Sequence, residues 1–403
     1  MKKIVFIILS IIASNTLVSA QAEWMQKASM YNVGRYAAIS LTINGSAYVG
    51  LGQTYDGKKV YDFWEYNALK NKWIKHSDYP GKGSYAATAF TINGKGYVCM
   101  GGDNSNACQS DLWEYTPETD KWTQKASFPG RARYGASCFV VGDSVFVGTG
   151  SYGSGVDYLY DMWMYVPGTD TWSQKSDFPG YNRSHATAFT IGRSGYLGTG
   201  LQINYAATSD MWKYNVTGDT WTRIADVPGL PVTGVVSFVL NNKAYLGTGY
   251  DFINNHNDFY EYDTVSDKWN LLNLPADVEG RRGAFGFSID NVGYLAAGLT
   301  DNGLLPDLWA FTPAAPITGT GKNSKIQSIK IYPNPLATVL NIESLMYGTE
   351  STISILTING QELITLKSKN ASEKIDISHL PRGVYQVRIF NGKDSVTSKI
   401  VKE

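Results

Sequence analysis

The chain has 403 residues, 43% of them hydrophobic and 17% charged, which is enough apolar material to bury one or two large cores. Lys and Arg together number 35 and so do Asp and Glu, so no net field draws the protein to nucleic acid or to an anionic membrane surface. An aromatic share of 13%, with 27 Tyr and 41 Gly, speaks for short strands and tight turns over helices, and an all-β fold is expected.

At the start of the chain, Lys2 and Lys3 precede an apolar run from Ile4 to Ile12, and Val18-Ser19-Ala20 offers small residues at a cleavage position. Residues 1–20 therefore read as a secretory signal peptide. No Cys follows Ala20 to take a lipid anchor, and no later stretch approaches the roughly 20 apolar residues of a membrane span. The expected location is extracellular or on the outer cell surface, reached through the periplasm.

Trp24, Trp73, Trp122, Trp172, Trp221 and Trp269 recur every 48 to 50 residues. In phase with them run Asp62-Phe63-Trp64, Asp111-Leu112-Trp113, Asp161-Met162-Trp163, Asp210-Met211-Trp212, Asp258-Phe259-Tyr260 and Asp307-Leu308-Trp309. An internal repeat of this length signals a propeller or solenoid. Within one unit, Tyr85 to Ile92 alternates, Asn93-Gly94 turns, and Gly96 to Met100 returns, which predicts a hairpin. A variable loop, a third strand holding Asp-x-Trp-x-Tyr and a fourth strand opened by the repeat Trp complete a four-stranded blade. Trp309 has no repeat Trp after it, and Trp24 has no blade before it. The N-terminal strand is therefore expected to complete the sixth blade, which removes the free sheet edges.

The glycine-ended second strands (Gly101-Gly102, Gly148-Thr149-Gly150, Gly198-Thr199-Gly200), the third-strand Tyr66, Tyr115, Tyr165, Tyr214 and Tyr262, and the repeat Trp resemble the kelch family. The resemblance implies a six-bladed kelch-type β-propeller over residues 21–312. Most copies carry Gly-x-Gly instead of the family's Gly-Gly, and blade five has Tyr260 for the third-strand Trp.

Pro313 to Gly321 is rich in Pro, Ala, Thr and Gly, and residues 313–325 read as a linker. From 326 to 403, alternation in Val339-Leu340-Asn341-Ile342, in Ser351 to Ile358 before an Asn359-Gly360 turn, and in Gly383 to Ile389 predicts a small β-sandwich. Ile331-Tyr332-Pro333-Asn334-Pro335, Leu380-Pro381-Arg382-Gly383-Val384-Tyr385 and the tail Lys399-Ile400-Val401-Lys402 resemble the type A C-terminal sorting domain of the type IX secretion system. That resemblance implies the secretion machinery as a partner, export beyond the outer membrane and removal of the domain on the way.

His76, His185, His256 and His379 show no mutual ligand spacing, so no metal or other cofactor is expected, and Asn254 to Asp258 reads as a solvated loop. Cys99 and Cys108 are candidates for a disulfide, with buried free thiols as the alternative. No nucleophile, His and carboxylate set with a family spacing is present. Eleven or twelve residues after the repeat Trp stand Arg35, Ser84, Arg133, Arg183, Val232 and Arg281, followed by Tyr36, Tyr85, Tyr134, Ser184, Thr233 and Arg282. These positions lead into each blade, where in kelch modules the loops form the ligand face. The expected ligand set is Arg35, Tyr36, Tyr85, Arg133, Tyr134, Arg183, His185, Arg281 and Arg282, holding carboxylates or sugar hydroxyls by forked hydrogen bonds and stacking. The alternative is that these arginines bind blade carbonyls.

A propeller that binds an extracellular protein or glycan is the first reading of function. A sugar-active enzyme resembling the six-bladed kelch mutarotases of sialic acid is the second, with Glu279, Arg281, Arg183 and His185 as its candidates. A structural partner in a surface complex, marked by a large apolar patch, is the third.

Overall fold

The computed structural model describes residues 22–30, 34–153, 157–203, 206–229, 231–313, 330–332, 338–343, 350–357, 362–390 and 395–402. The expected signal peptide, nearly all of the linker, Pro333-Asn334-Pro335 and the Asn359-Gly360 turn lie outside them. Gln21–Ala314 form one compact unit, and the residues from Ala315 onward belong to a second.

Among the described residues the first unit holds six four-stranded antiparallel sheets. In blade one the strands are Ile39–Ile43, Ser46–Gly50, Phe63–Asn67 and Lys72–His76. The first strands of the later blades are Thr88–Ile92, Ser137–Val141, Thr187–Ile191, Val236–Leu240 and Phe285–Ile289. Each first strand packs beside the next, and the sixth packs against the first, so the sheets form a closed ring. The sixth blade takes its fourth strand from the other end of the chain. Glu23–Lys27 pairs antiparallel with Leu308–Thr312, placing Trp24 opposite Phe311 and Gln26 opposite Trp309.

First and second strands are joined by two-residue turns such as Asn44-Gly45, whose φ values of 51° and 81° are the left-handed pair that a tight hairpin requires. The first strands begin later than alternation predicts: blade two starts at Thr88, not Tyr85. Ala86 sits at φ 49°, which breaks the strand and leaves Tyr85 with a single bridge to Gly102.

Five of the repeat tryptophans stitch blades together. The indole Nε1 of Trp73, Trp122, Trp172, Trp221 and Trp269 donates to Ala28 O, Ser77 O, Ala126 O, Ser176 O and Ala225 O of the preceding blade at 2.9 to 3.3 Å. Close by, Asn71, Asp120, Asp170, Asp219 and Asp267 hold left-handed backbone, accept the main-chain N–H of those same five residues and take a hydrogen bond from the third-strand Tyr. Each such bond contributes about 1 kcal/mol net. The sixth blade has no turn between its third and fourth strands and so no such residue. Its Trp24 packs against Phe259 and Phe311, and its buried indole N–H has no partner among the described residues.

The second unit has a three-stranded sheet ordered Lys330–Tyr332, Val339–Glu343, Ser372–Asp376, and a four-stranded sheet ordered Glu362–Ser368, Ser351–Thr357, Gly383–Phe390, Ser395–Lys402. Leu340 and Ile342 from one sheet meet Ile353, Ile355, Val387 and Ile400 from the other in a single core, which makes a sandwich. Two residues of the motif set support this core. The Tyr385 hydroxyl donates to Pro381 O at 2.7 Å, and Lys402 is buried, its ammonium on Ser378 O and Leu380 O.

Candidate functional site

Arg35, Arg133, Arg183 and Arg281 are at most 2% exposed. The structure does not place them on a channel lining. Each guanidinium forks onto the carboxylate of its own blade's Asp-x-Trp motif: Arg35 on Asp62, Arg133 on Asp161, Arg183 on Asp210 and Arg281 on Asp307, at 2.6 to 3.0 Å. Nη1 also donates to the carbonyl sixteen residues on, Leu51, Thr149, Thr199 or Ala297. The same carboxylates accept the indole N–H of Trp64, Trp163, Trp212 and Trp309. Burial pushes the carboxyls of Asp62, Asp161 and Asp210 up, but the bonds and charge of the arginines outweigh it and hold them below their ordinary range. The guanidinium groups expected in the ligand set are therefore engaged inside their own blades. A planar fork met by a bidentate carboxylate is a complete pairing, and it turns the arginine into the blade.

The residues one place later are held by backbone pairing. Tyr36, Tyr85, Tyr134, Ser184, Thr233 and Arg282 each bridge to the opening of the loop between second and third strands, at Gln53, Gly102, Ser151, Leu201, Tyr250 and Leu299. Behind them, Ala37, Ala86, Gly135, His185, Gly234 and Gly283 all have φ between 49° and 67°. Five of these pass a backbone hydrogen bond to a neighbour: Ala37 to Gly283, Ala86 to Ala37, Gly135 to Ala86, His185 to Gly135 and Gly283 to Gly234, at 2.8 to 3.0 Å. A hoop of amides thus frames the mouth of the channel.

The rings of Tyr36, Tyr85, Tyr134 and His185 lie 5.7 to 5.9 Å from one to the next. Burial pushes the Tyr36 phenol up, against the opposing bond to Tyr85 and the charge of Arg282. Burial and the neighbouring phenols Tyr36 and Tyr134 do the same to Tyr85. Burial lowers His185 from 6.5 to about 4, so its imidazole is neutral at physiological pH. Arg282 covers the Tyr250 ring at 4.1 Å and donates to Asn255 at 3.0 Å. Below this mouth runs a channel of about 310 Å³ lined by small residues such as Ala38, Ser40, Ala87, Ala136, Ala186, Ser237 and Ala284. Among its described lining residues the one ionisable group is the Cys138 thiol, which burial pushes up to about 12.

Residues 86–129 match the kelch motif, and residues 330–403 match the secretion system C-terminal sorting domain. Among solved structures, one titled "Structure of YjhT" is 19% identical, with a TM-score of 0.60, covering 69% of this chain and 95% of its own. The chain is a kelch-repeat propeller that carries a secretion-system C-terminal sorting domain. No curated protein matches it.

On the kelch propeller, the loops between second and third strands and the loops between blades share one face. Most of its large exposed apolar side chains stand there: Tyr55, Tyr152, Tyr160, Tyr181, Ile203, Phe252 and Ile253, with Tyr55 86% and Tyr181 77% exposed. The enzyme candidates do not converge. Glu279 is exposed and accepts from Asn302, Arg183 and Arg281 are spent inside different blades, and His185 sits in the channel mouth. Cys99, Cys108 and Cys138 are free thiols, so the Cys99 to Cys108 disulfide is not formed, and Cys99 is buried. In the Asn254 to Asp258 loop, His256 pairs with Asp251 at 2.9 Å. Sequence reasoning missed the exposed loop aromatics, whose only signal is aromatic residues inside loops of variable length.

Proposed function

We propose that the kelch propeller is an exported binding module that takes an extracellular protein or glycan on its loop face. The sorting domain supports export to the cell surface or beyond, and passage through the periplasm follows from the same reading. The observation that carries the binding role is the crowding of exposed aromatic and aliphatic side chains onto one face, above a channel with no carboxylate among its described lining residues. Aromatic side chains that stand in solvent bring large contact area at low entropic cost, which is how recognition surfaces are built.

The test is a paired substitution on glycan and extracellular-protein arrays. Tyr55→Ala with Tyr181→Ala on the loop face should abolish the signal of the parent chain. Leu69→Ala with Val265→Ala, still more exposed in turns between third and fourth strands, should leave it intact. Equal effects from the two pairs would remove the loop face as the binding surface.

A sugar-active enzyme, resembling sialic acid mutarotases, draws on one observation, the cluster of His185 with Tyr85 and Tyr134 at the channel mouth. A histidine held near 4 is a weak base at neutral pH, which disfavours it as the proton acceptor. Polarimetric anomerisation of sialic acid, faster with the parent chain than with His185→Ala, would reverse that judgement.

A further inference from the structure

We propose that the groove between the loops of blades three and four is a binding site for a neutral oligosaccharide, with Tyr181 as its stacking platform. The proposal rests on the loop face being the ligand face and names the ligand class and the place. The groove encloses about 370 Å³ and is lined by Asp157, Tyr158, Tyr181, Asn182, Gln202 and Ile203. That volume lies within the roughly 300–1,000 Å³ of small-molecule sites. It is set to one side of the axis, apart from the tyrosine and histidine cluster of the channel mouth.

Tyr181 is held at φ 67°, a left-handed conformation that costs a bulky side chain roughly 1–3 kcal/mol, while the residue is 77% exposed. A strained backbone that delivers an aromatic ring to solvent makes no packing gain in return. Its neighbours fix it from below. Arg183 carries Nε to Tyr181 O and its guanidinium to Asp210 inside blade four, so the loop is anchored by the blade's own ion pair.

The polar groups point to the ligand's chemistry. One N–H of the Asn182 amide goes to Tyr158 O at 2.9 Å, and one of the Gln202 amide to Gly180 O at 3.2 Å. Each side chain keeps its carbonyl oxygen and a second N–H, and Asp157 adds a carboxylate, 3.7 Å from Arg131. Amides and a carboxylate beside an aromatic plane suit a partner with many hydroxyls, which both donate and accept, and an apolar C–H face, which is the description of a pyranose. An anionic sugar would bring its charge against Asp157, so a neutral chain is favoured.

Affinity electrophoresis of the purified full chain through gels holding a neutral β-glucan, mannan or xylan tests this, with polygalacturonate and polylysine as charged probes. Retardation by at least one neutral polysaccharide is expected, weakened about tenfold or more by Tyr181→Ala and kept by Tyr181→Phe. Tyr181→Gly should also lose retardation while unfolding no earlier than the parent, because glycine accepts the left-handed backbone. No retardation in any neutral gel, or retardation by a charged probe alone, would overturn the proposal. So would neutral-sugar binding that Tyr181→Ala leaves intact and Tyr85→Ala or Arg282→Ala abolishes, an outcome that spares the loop-face reading. Binding that no substitution on this face changes would overturn both.

Discussion

Blades one, three, four and six each bury an arginine against their Asp-x-Trp carboxylate, whereas blades two and five have Ser84 and Val232 at that position. In a six-membered ring these two blades stand opposite each other. Blade two keeps Asp111, bonded to Trp113 at 2.7 Å, but one of its carboxylate oxygens and the hydroxyl of the nearby buried Tyr79 have no partner. Blade three has Phe128 where blade two has Tyr79, stacked on Arg133. In blade five the region is a cavity of about 20 Å³ lined by Val232, Thr248, His256, Asp258 and Tyr260. All six sheets have the same four-stranded order regardless. Strand pairing thus defines the blade, and the tryptophan stitch and the ion pair are reinforcements that one blade and two blades respectively do without.

The sharpest way to break this comparison is to remove one partner in each class. Arg133→Ala should cost about 3–5 kcal/mol in urea unfolding, since it strands a partly buried carboxylate, while Ser84→Ala should cost about 1 kcal/mol for its bond to Val60 O. Equal losses would mean that the ion pairs carry nothing special. Acid comes next. Asp62, Asp161 and Asp210 have depressed values in the folded state, so their contribution is complete above the ordinary aspartate value of about 3.9 and is lost as pH falls through the lower folded values. Thermal melts should drop steeply below about pH 4, and less steeply when Arg133 is replaced by Met. His185 separates the channel mouth from these pairs. Its folded value near 4 lies under the usual 6.5, so the unfolded chain takes up the proton first and stability declines as pH falls from 6.5 towards 4. His185→Asn should flatten the melting temperature across that window alone. The smallest effect belongs to Tyr79→Phe, which removes an unpartnered buried hydroxyl and should raise stability by about 1 kcal/mol.

The ring and its closure were legible because Trp and Asp-x-Trp repeat in phase and because the surplus at Trp24 matches the deficit after Trp309. The sorting domain was legible from three short motifs in order. The fate of the arginines was not, although both partners were in view, because Arg133 and Asp161 are 28 residues apart and meet only when the loop entering a blade lies over its third strand. The left-handed residues that shorten the first strands were equally hidden, since Ala37 and Ala86 are not residue types that announce a positive φ. Tyr36, Tyr85 and Tyr134 recur at one place in the repeat and their rings meet, while Tyr181, exposed in a loop of no fixed pattern, gave no periodic signal.

The pairing of Glu23 with Thr312 has a mechanical consequence. The incoming and outgoing chain leave this sheet at the same end, so a pull on the two ends loads the rungs of the ladder singly, like a zip fastener, instead of all together in shear. Tension therefore peels the N-terminal strand away at low force while the blades held by continuous hairpins stay shut.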